Sequence, residues 1–314
     1  MKIFLITLLT QIIFAKPLFA EASKSEFEQT LESARKYFRP IYQSHGKELS
    51  ILGEWDYDEN NAKALAYTVD HYFIEIYGGA LKSEGTNTDS LRAMICHEVG
   101  HHLGGAPFMP QYYEDYYLFQ GSSEGQADYY AANVCLKKWL NGEDHWRKIH
   151  QIGFSKKDQI FCERYHNDKN NIGLCIRIIT AFKRMLSLKI ESEVQINLKT
   201  PSLAYKYALA SSVTHPPSLC RLETAYAGVI CHQENGCSIF QNPIEASRPL
   251  CWAGVGFLLE NEYKSAPQKT IEFINKLKIK NFFKDPYDDD EVHEKSLQLK
   301  SKFQNVIPAL DNYN

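Results

Sequence analysis

The sequence predicts a mostly helical α+β fold in which a small β-sheet packs beside one central helix. Three observations carry this: short alternating apolar runs between residues 49 and 77, long stretches of apolar residues at helical spacing after them, and the run His97-Glu98-Val99-Gly100-His101 on the first of those helices. Residues four apart on an α-helix share a face, so His97 and His101 can hold one metal ion while Glu98 stands beside it.

The 314 residues are 44% apolar and show no composition typical of disorder, so one sizeable domain is expected over residues 21–260. Ahead of it, Lys2, the apolar stretch from Ile3 to Ala15 and the small residues Ala20 and Ala22 read as a secretory signal, cleaved after Ala20 or Ala22. An uncleaved membrane anchor is the alternative. No cysteine follows either cleavage point to take a lipid. Cleavage after Ala20 removes Lys2 and Lys16 and no acid, which takes the formal charge from −3 to −5. A mildly acidic mature chain argues against a nucleic-acid partner.

In chain order, a helix is expected over residues 25–38, ended by Pro40. Strands come next over 49–55, 64–69 and 72–77, the last closed by Gly78-Gly79. The third strand, just before the metal-binding helix, either offers its edge to an extended substrate or is an ordinary sheet strand. A polar loop over 82–89 leads to a helix capped by Thr88, Asp89 or Ser90. On it Leu91, Ile95, Val99 and Leu103 share one side with Cys96 beside them, and His97, Glu98 and His101 occupy the other. Gly104-Gly105 ends it in a left-handed turn and Pro107 prevents its return. His102, about 100° around from His101, cannot join the same ligand pair and is expected to pack or hydrogen-bond. Tyrosine-rich residues 108–120 form a connecting loop, which lines a cleft or packs on its own domain. A second helix runs from Ser122 or Ser123 to Leu140, and residues 143–260 are largely helical. Ile172 to Ile190 is amphipathic rather than a membrane span, because Arg177, Lys183 and Arg184 interrupt it. Residues 261–314 form a polar helical extension or tail, whose acidic cluster at 288–291 lacks the spacing of a calcium loop.

The metal site needs a third ligand. A histidine six residues after His101 would complete it on an extended motif, but that position is Pro107, which has no donor atom. The other source is a carboxylate from the following helix, and Glu124 lies in its first turn, where the helix dipole favours an anion. Asp128, one turn on, can accept a hydrogen bond from the far nitrogen of a liganding histidine. Gly125 would let the two helices approach closely.

HEVGH followed by EGQAD resembles the glutamate-zincin metallopeptidases, and Thr214-His215-Pro216-Pro217, continued to Arg221, resembles the "THP…R" element of the M48 (Ste24/HtpX/Oma1-like) peptidases. The resemblance covers short elements within residues 90–225. It implies a zincin-like fold, a histidine, His215, that sits near the metal and can block or gate it, and an arginine, Arg221, close to the active site.

Together these give the expected function: a periplasmic or secreted zinc endopeptidase acting on protein or peptide, with no membrane span in the mature chain. His97, His101 and Glu124 would hold one Zn²⁺, Glu98 would act as general base, and Arg221 or His215 would stabilise the oxyanion. A zinc-stabilised envelope binding or scaffold protein, and a zinc amidase acting on peptidoglycan, are the alternatives. Eight cysteines, an even number in an exported chain, fit disulfides. Proximity favours Cys162 with Cys175 and a cluster among Cys220, Cys231, Cys237 and Cys251. Cys96 and Cys135, each on a ligand helix, could tie the two halves of the metal site together.

Overall fold

The computed structural model describes residues 23–66, 70–105, 121–190, 198, 215–233, 237, 244–249 and 252. The expected signal segment, the 108–120 loop, residues 67–69, Thr214, Cys251 and the 261–314 tail lie outside them.

Helix α1 (Lys24–Ser44) begins at Ser23, whose hydroxyl accepts from the Glu26 amide while the Glu26 carboxylate accepts from the Ser23 amide. It does not stop at Pro40 but runs four residues past it. A proline inside a helix costs about 3 kcal/mol. Against this, Phe27, Leu31, Ala34, Phe38 and Tyr42 form one buried stripe, and Tyr42, beyond the proline, is 1% exposed. Removing an aromatic ring's ~150–250 Å² from water at about 25 cal/mol per Å² stabilises by at least as much, so packing overrides propensity here.

The sheet holds β1 (Glu48–Glu54), β2 (Ala62–Ala66) and β3 (His71–Tyr77) in the order β1-β3-β2, with β1 parallel and β2 antiparallel to β3. The strand at 72–77 is therefore the middle one. Both its sides are paired, so it has no edge to offer. Side-chain alternation along a strand reports its two faces and is silent about its neighbours. The edges are β1 and β2, and β2 lies against the motif helix α3 (Thr88–Leu103).

A short helix α2 (Gly79–Lys82) precedes α3. The cap of α3 is Asn87, one residue before the expected candidates: its Oδ1 accepts from the Asp89 and Ser90 amides, and the Ser90 hydroxyl accepts from the Asn87 amide. Asp89 is left for another task. Both its oxygens accept from Arg177 at 2.7 and 2.8 Å, a bidentate pair that ties the start of α3 to α8 (Lys169–Met185) in the core.

Chemistry was expected on one open face of α3, but nearly the whole helix is buried. Leu91, Ile95 and Val99 are 0% exposed, and His97, Glu98 and His101 are 6% exposed or less. Later helices cause this, and α8 packs along α3 as well. Helix α4 (Glu124–Tyr130) covers the histidine side, and α9 (Ser218–Ile230) packs on α4 in turn. The expected single helix to Leu140 is α4, a π-helical turn at Ala131–Cys135, and α5 (Leu136–Trp139). Helices α6 (His145–Ile152) and α7 (Lys156–Glu163) pack on α8. No described helix is long and apolar enough to cross a membrane.

Disulfides join Cys96 to Cys135 and Cys162 to Cys175, as the sequence suggested, and Cys231 to Cys237 within the expected cluster; Cys220 is disulfide-bonded as well. The Cys96–Cys135 bond stitches the residue before His97 to the π turn behind α4.

Candidate metal centre

Two helices deliver the candidate ligands, and backbone contact between them sets the spacing. At Gly100 the chains lie so close that a Cβ would stand 2.7 Å from the Ala127 carbonyl oxygen and 2.8 Å from its Cα. Gly100, inside the motif, is thus the residue that lets α3 and α4 approach. Gly125, expected in that role, instead makes room for Trp252, whose indole carbons would be 2.1 Å from a Cβ there. The crossing is held at its end by the His101 carbonyl, which accepts from the Ser122 amide at 2.9 Å, and by the Gly104 carbonyl, which accepts from Gln126 at 2.7 Å.

His97 donates from Nδ1 to Asp128 Oδ1 at 2.8 Å, and His101 donates from Nδ1 to the Ser122 carbonyl at 2.8 Å. A carboxylate and a carbonyl can only accept, so each Nδ1 carries a proton and each Nε2 faces inward, where it holds a second proton or gives its lone pair to a metal ion. The two Nε2 atoms face each other at 3.2 Å and lie 3.2 and 3.4 Å from Glu124 Oε2. His215 Nε2 reaches the same oxygen at 3.2 Å. That oxygen is buried and has no hydrogen-bond partner among the described residues. Lone pairs gathered so closely repel one another unless a cation sits among them. His97, Glu124 and His215 each offer a ligand atom within 4.8 Å of one another, so this group can hold a metal ion, with His101 alongside.

The expected ligands and Asp128 therefore come together as placed by the sequence, and His215 joins them. Its ring stacks on that of His97 at 5.6 Å, and its side chain is 55% exposed, unlike the others. Arg221 approaches from α9 but turns to Asp128, donating from Nε and Nη2 at 2.7 and 2.8 Å. Asp128 is 0% exposed and its charge is shared between Arg221 and His97. Glu98 is 6% exposed, and among the described residues its carboxylate has no hydrogen-bond partner. His102 stands apart, as expected: its Nδ1 accepts from the Tyr42 hydroxyl at 2.8 Å, it packs edge-on to Tyr72, and burial pushes its pKa down to about 3.

The electrostatics favour positive charge between the ligands. Burial alone would lower the pKa of His97, but Asp128 and Glu124 outweigh it and hold it up to about 10. Burial would likewise raise Glu124, yet His101 and His97 keep it well below the usual carboxylate range. For Glu98 burial prevails and its pKa is raised.

Two participants left no sequence signal. The Ser122 carbonyl is a backbone group, and Trp252 lies over 120 residues from the ligand helix. Compared with known proteins, the chain matches no family model, no curated protein and no solved structure.

Proposed function

We propose that the chain is an exported zinc-dependent endopeptidase of the glutamate-zincin type. The observation that carries this is the convergence of three imidazole Nε2 atoms on the Glu124 carboxylate, with the buried carboxylate of Glu98 next in sequence to His97. Imidazole and carboxylate donors in such a set suit Zn²⁺. The ion, when bound, supplies a water acidified toward neutrality and a polarised scissile carbonyl.

His97, His101 and Glu124 hold the ion, and Asp128 and the Ser122 carbonyl fix the histidine tautomers. Glu98 accepts the proton of the attacking water and delivers it to the leaving amine. Arg221 works through Asp128 rather than on the oxyanion, since two of its donor nitrogens are committed there. Strand β2, the sheet edge beside α3, is the one that can pair with an extended substrate. The disulfides fit an oxidising compartment, which supports export.

Metal analysis of the purified mature chain is expected to give one zinc per chain. Incubation with unfolded casein and with peptidoglycan, each with and without a chelator, is expected to show cleavage of casein alone, abolished by the chelator. Release of peptide from peptidoglycan would make the chain an amidase instead. A zinc-loaded chain that cleaves neither would make it a binding or scaffold protein.

His215 would take the remaining position beside the ion, and its side chain is the exposed one of the set. His215→Ala is therefore expected to keep the zinc and to cleave casein severalfold faster. Loss of zinc or of cooperative folding in that variant would give His215 a structural role.

A further inference from the structure

Resting on the metal-centre reading, we propose that Trp252 is a positioning residue for Glu124, the clasp that sets the first turn of α4 in ligand range. Trp252 is 1% exposed, and its indole occupies the space over Gly125, the residue that follows Glu124. Its Nε1 donates to Thr224 Oγ1 on α9 at 2.8 Å, so the ring is fixed in orientation as well as in place. Thr224 lies one turn beyond Arg221, the residue that grips Asp128.

The neighbouring described residues grip the same helix. The Ala246 carbonyl accepts from the Tyr129 hydroxyl at 2.8 Å, and Arg248 donates to the Gln126 side chain at 3.4 Å. Contacts from residues 246, 248 and 252 thus fall on positions 125, 126 and 129 of α4.

The need for a clasp arises from how α4 begins. Ser123 caps it without a side-chain hydrogen bond, so local capping does little to hold the turn that carries Glu124. That turn must present a carboxylate oxygen to three imidazoles at once, and displacements well under 1 Å weaken such a set. A Gly125 without the indole above it would leave both the space and the backbone freedom for the turn to shift.

The test uses the full mature chain. Trp252→Ala and Trp252→Phe are compared with wild type by the rate at which a chelator strips zinc and by the visible absorption of the cobalt-substituted protein. The alanine variant is expected to release zinc at least tenfold faster and to alter the cobalt bands, with a cooperative thermal transition retained. The phenylalanine variant, which keeps a ring over Gly125, is expected to recover most of the loss.

Glu124→Ala alone and combined with Trp252→Ala closes the cycle: if Trp252 acts through Glu124, the second substitution adds little to the first. Wild-type zinc release in Trp252→Ala, or additive losses in the double variant, would overturn the proposal while leaving the metal centre standing. A wild type that binds no metal would remove the centre itself. If the alanine variant does not fold, Thr224→Val, which deletes the indole's acceptor along with the hydroxyl's own bond to the Cys220 carbonyl within α9, is read in its place. Unchanged zinc release and cobalt bands in that variant would overturn the proposal equally.

Discussion

Glu98→Gln is expected to fold and to carry one zinc per chain, yet to lose casein cleavage by roughly 10²- to 10⁴-fold. Glutamine has the same shape and can still hydrogen-bond to water, but it cannot take a proton. The substitution also disturbs little else. Among the described residues Glu98 has no hydrogen-bond partner to lose, and at 6% exposure an amide is cheaper to bury than a carboxylate. Stability should therefore hold or rise, which separates a chemical defect from a folding one. His97→Ala is the contrasting variant: it removes a ligand, and both zinc and hydrolysis should be lost. Metal content, thermal unfolding and casein cleavage on the same preparations check these outcomes. Full peptidase activity in Glu98→Gln would sink the assignment.

What the sequence could reveal about this site was whatever depends on spacing along one helix. His97 and His101 are placed by the i, i+4 rule and Asp128 by its turn after Glu124. Cys96 with Cys135 came from their places on the two ligand helices. What it could not reveal depends on neighbours distant in the chain. Pro40 reads locally as a stop, but Tyr42 beyond it has a core to enter. The alternation at 72–77 identifies a strand and not its place in the middle of the sheet. Of the two glycines near the ligands, the sequence suggests close helix approach at Gly125. Only the fold assigns Gly100 to the opposite helix and Gly125 to an indole. The same limit applied to Arg221. The resemblance placed it near the metal, but which acceptor it meets there is a property of how α9 lies on α4.

That placement makes Arg221→Leu the second large effect. Asp128 is 0% exposed and takes two bonds from Arg221 and one from His97. Removing the guanidinium leaves a buried carboxylate with the imidazole as its remaining partner, a loss of about 3–5 kcal/mol in stability. Zinc affinity should fall with it by about 10- to 100-fold, because an Asp128 carboxylate relieved of Arg221 can turn or take up a proton and then no longer holds His97 firmly in its metal-binding tautomer. Arg221→Lys should not rescue, since an ammonium cannot make the paired contact to both Asp128 oxygens. An oxyanion-stabilising arginine would behave otherwise: its loss would lower turnover while denaturation midpoint and zinc affinity stayed at wild-type values. The double variant Arg221→Leu with Asp128→Leu separates the two consequences further. With both charges gone, most of the stability should return, as it commonly does when a buried ion pair gives way to apolar side chains. Zinc affinity should not return, because His97 Nδ1 then has no acceptor to fix the ring. Stability restored and affinity still lost would identify the Arg221–Asp128 pair as a support for the metal ligand, and affinity restored along with stability would show that it is not.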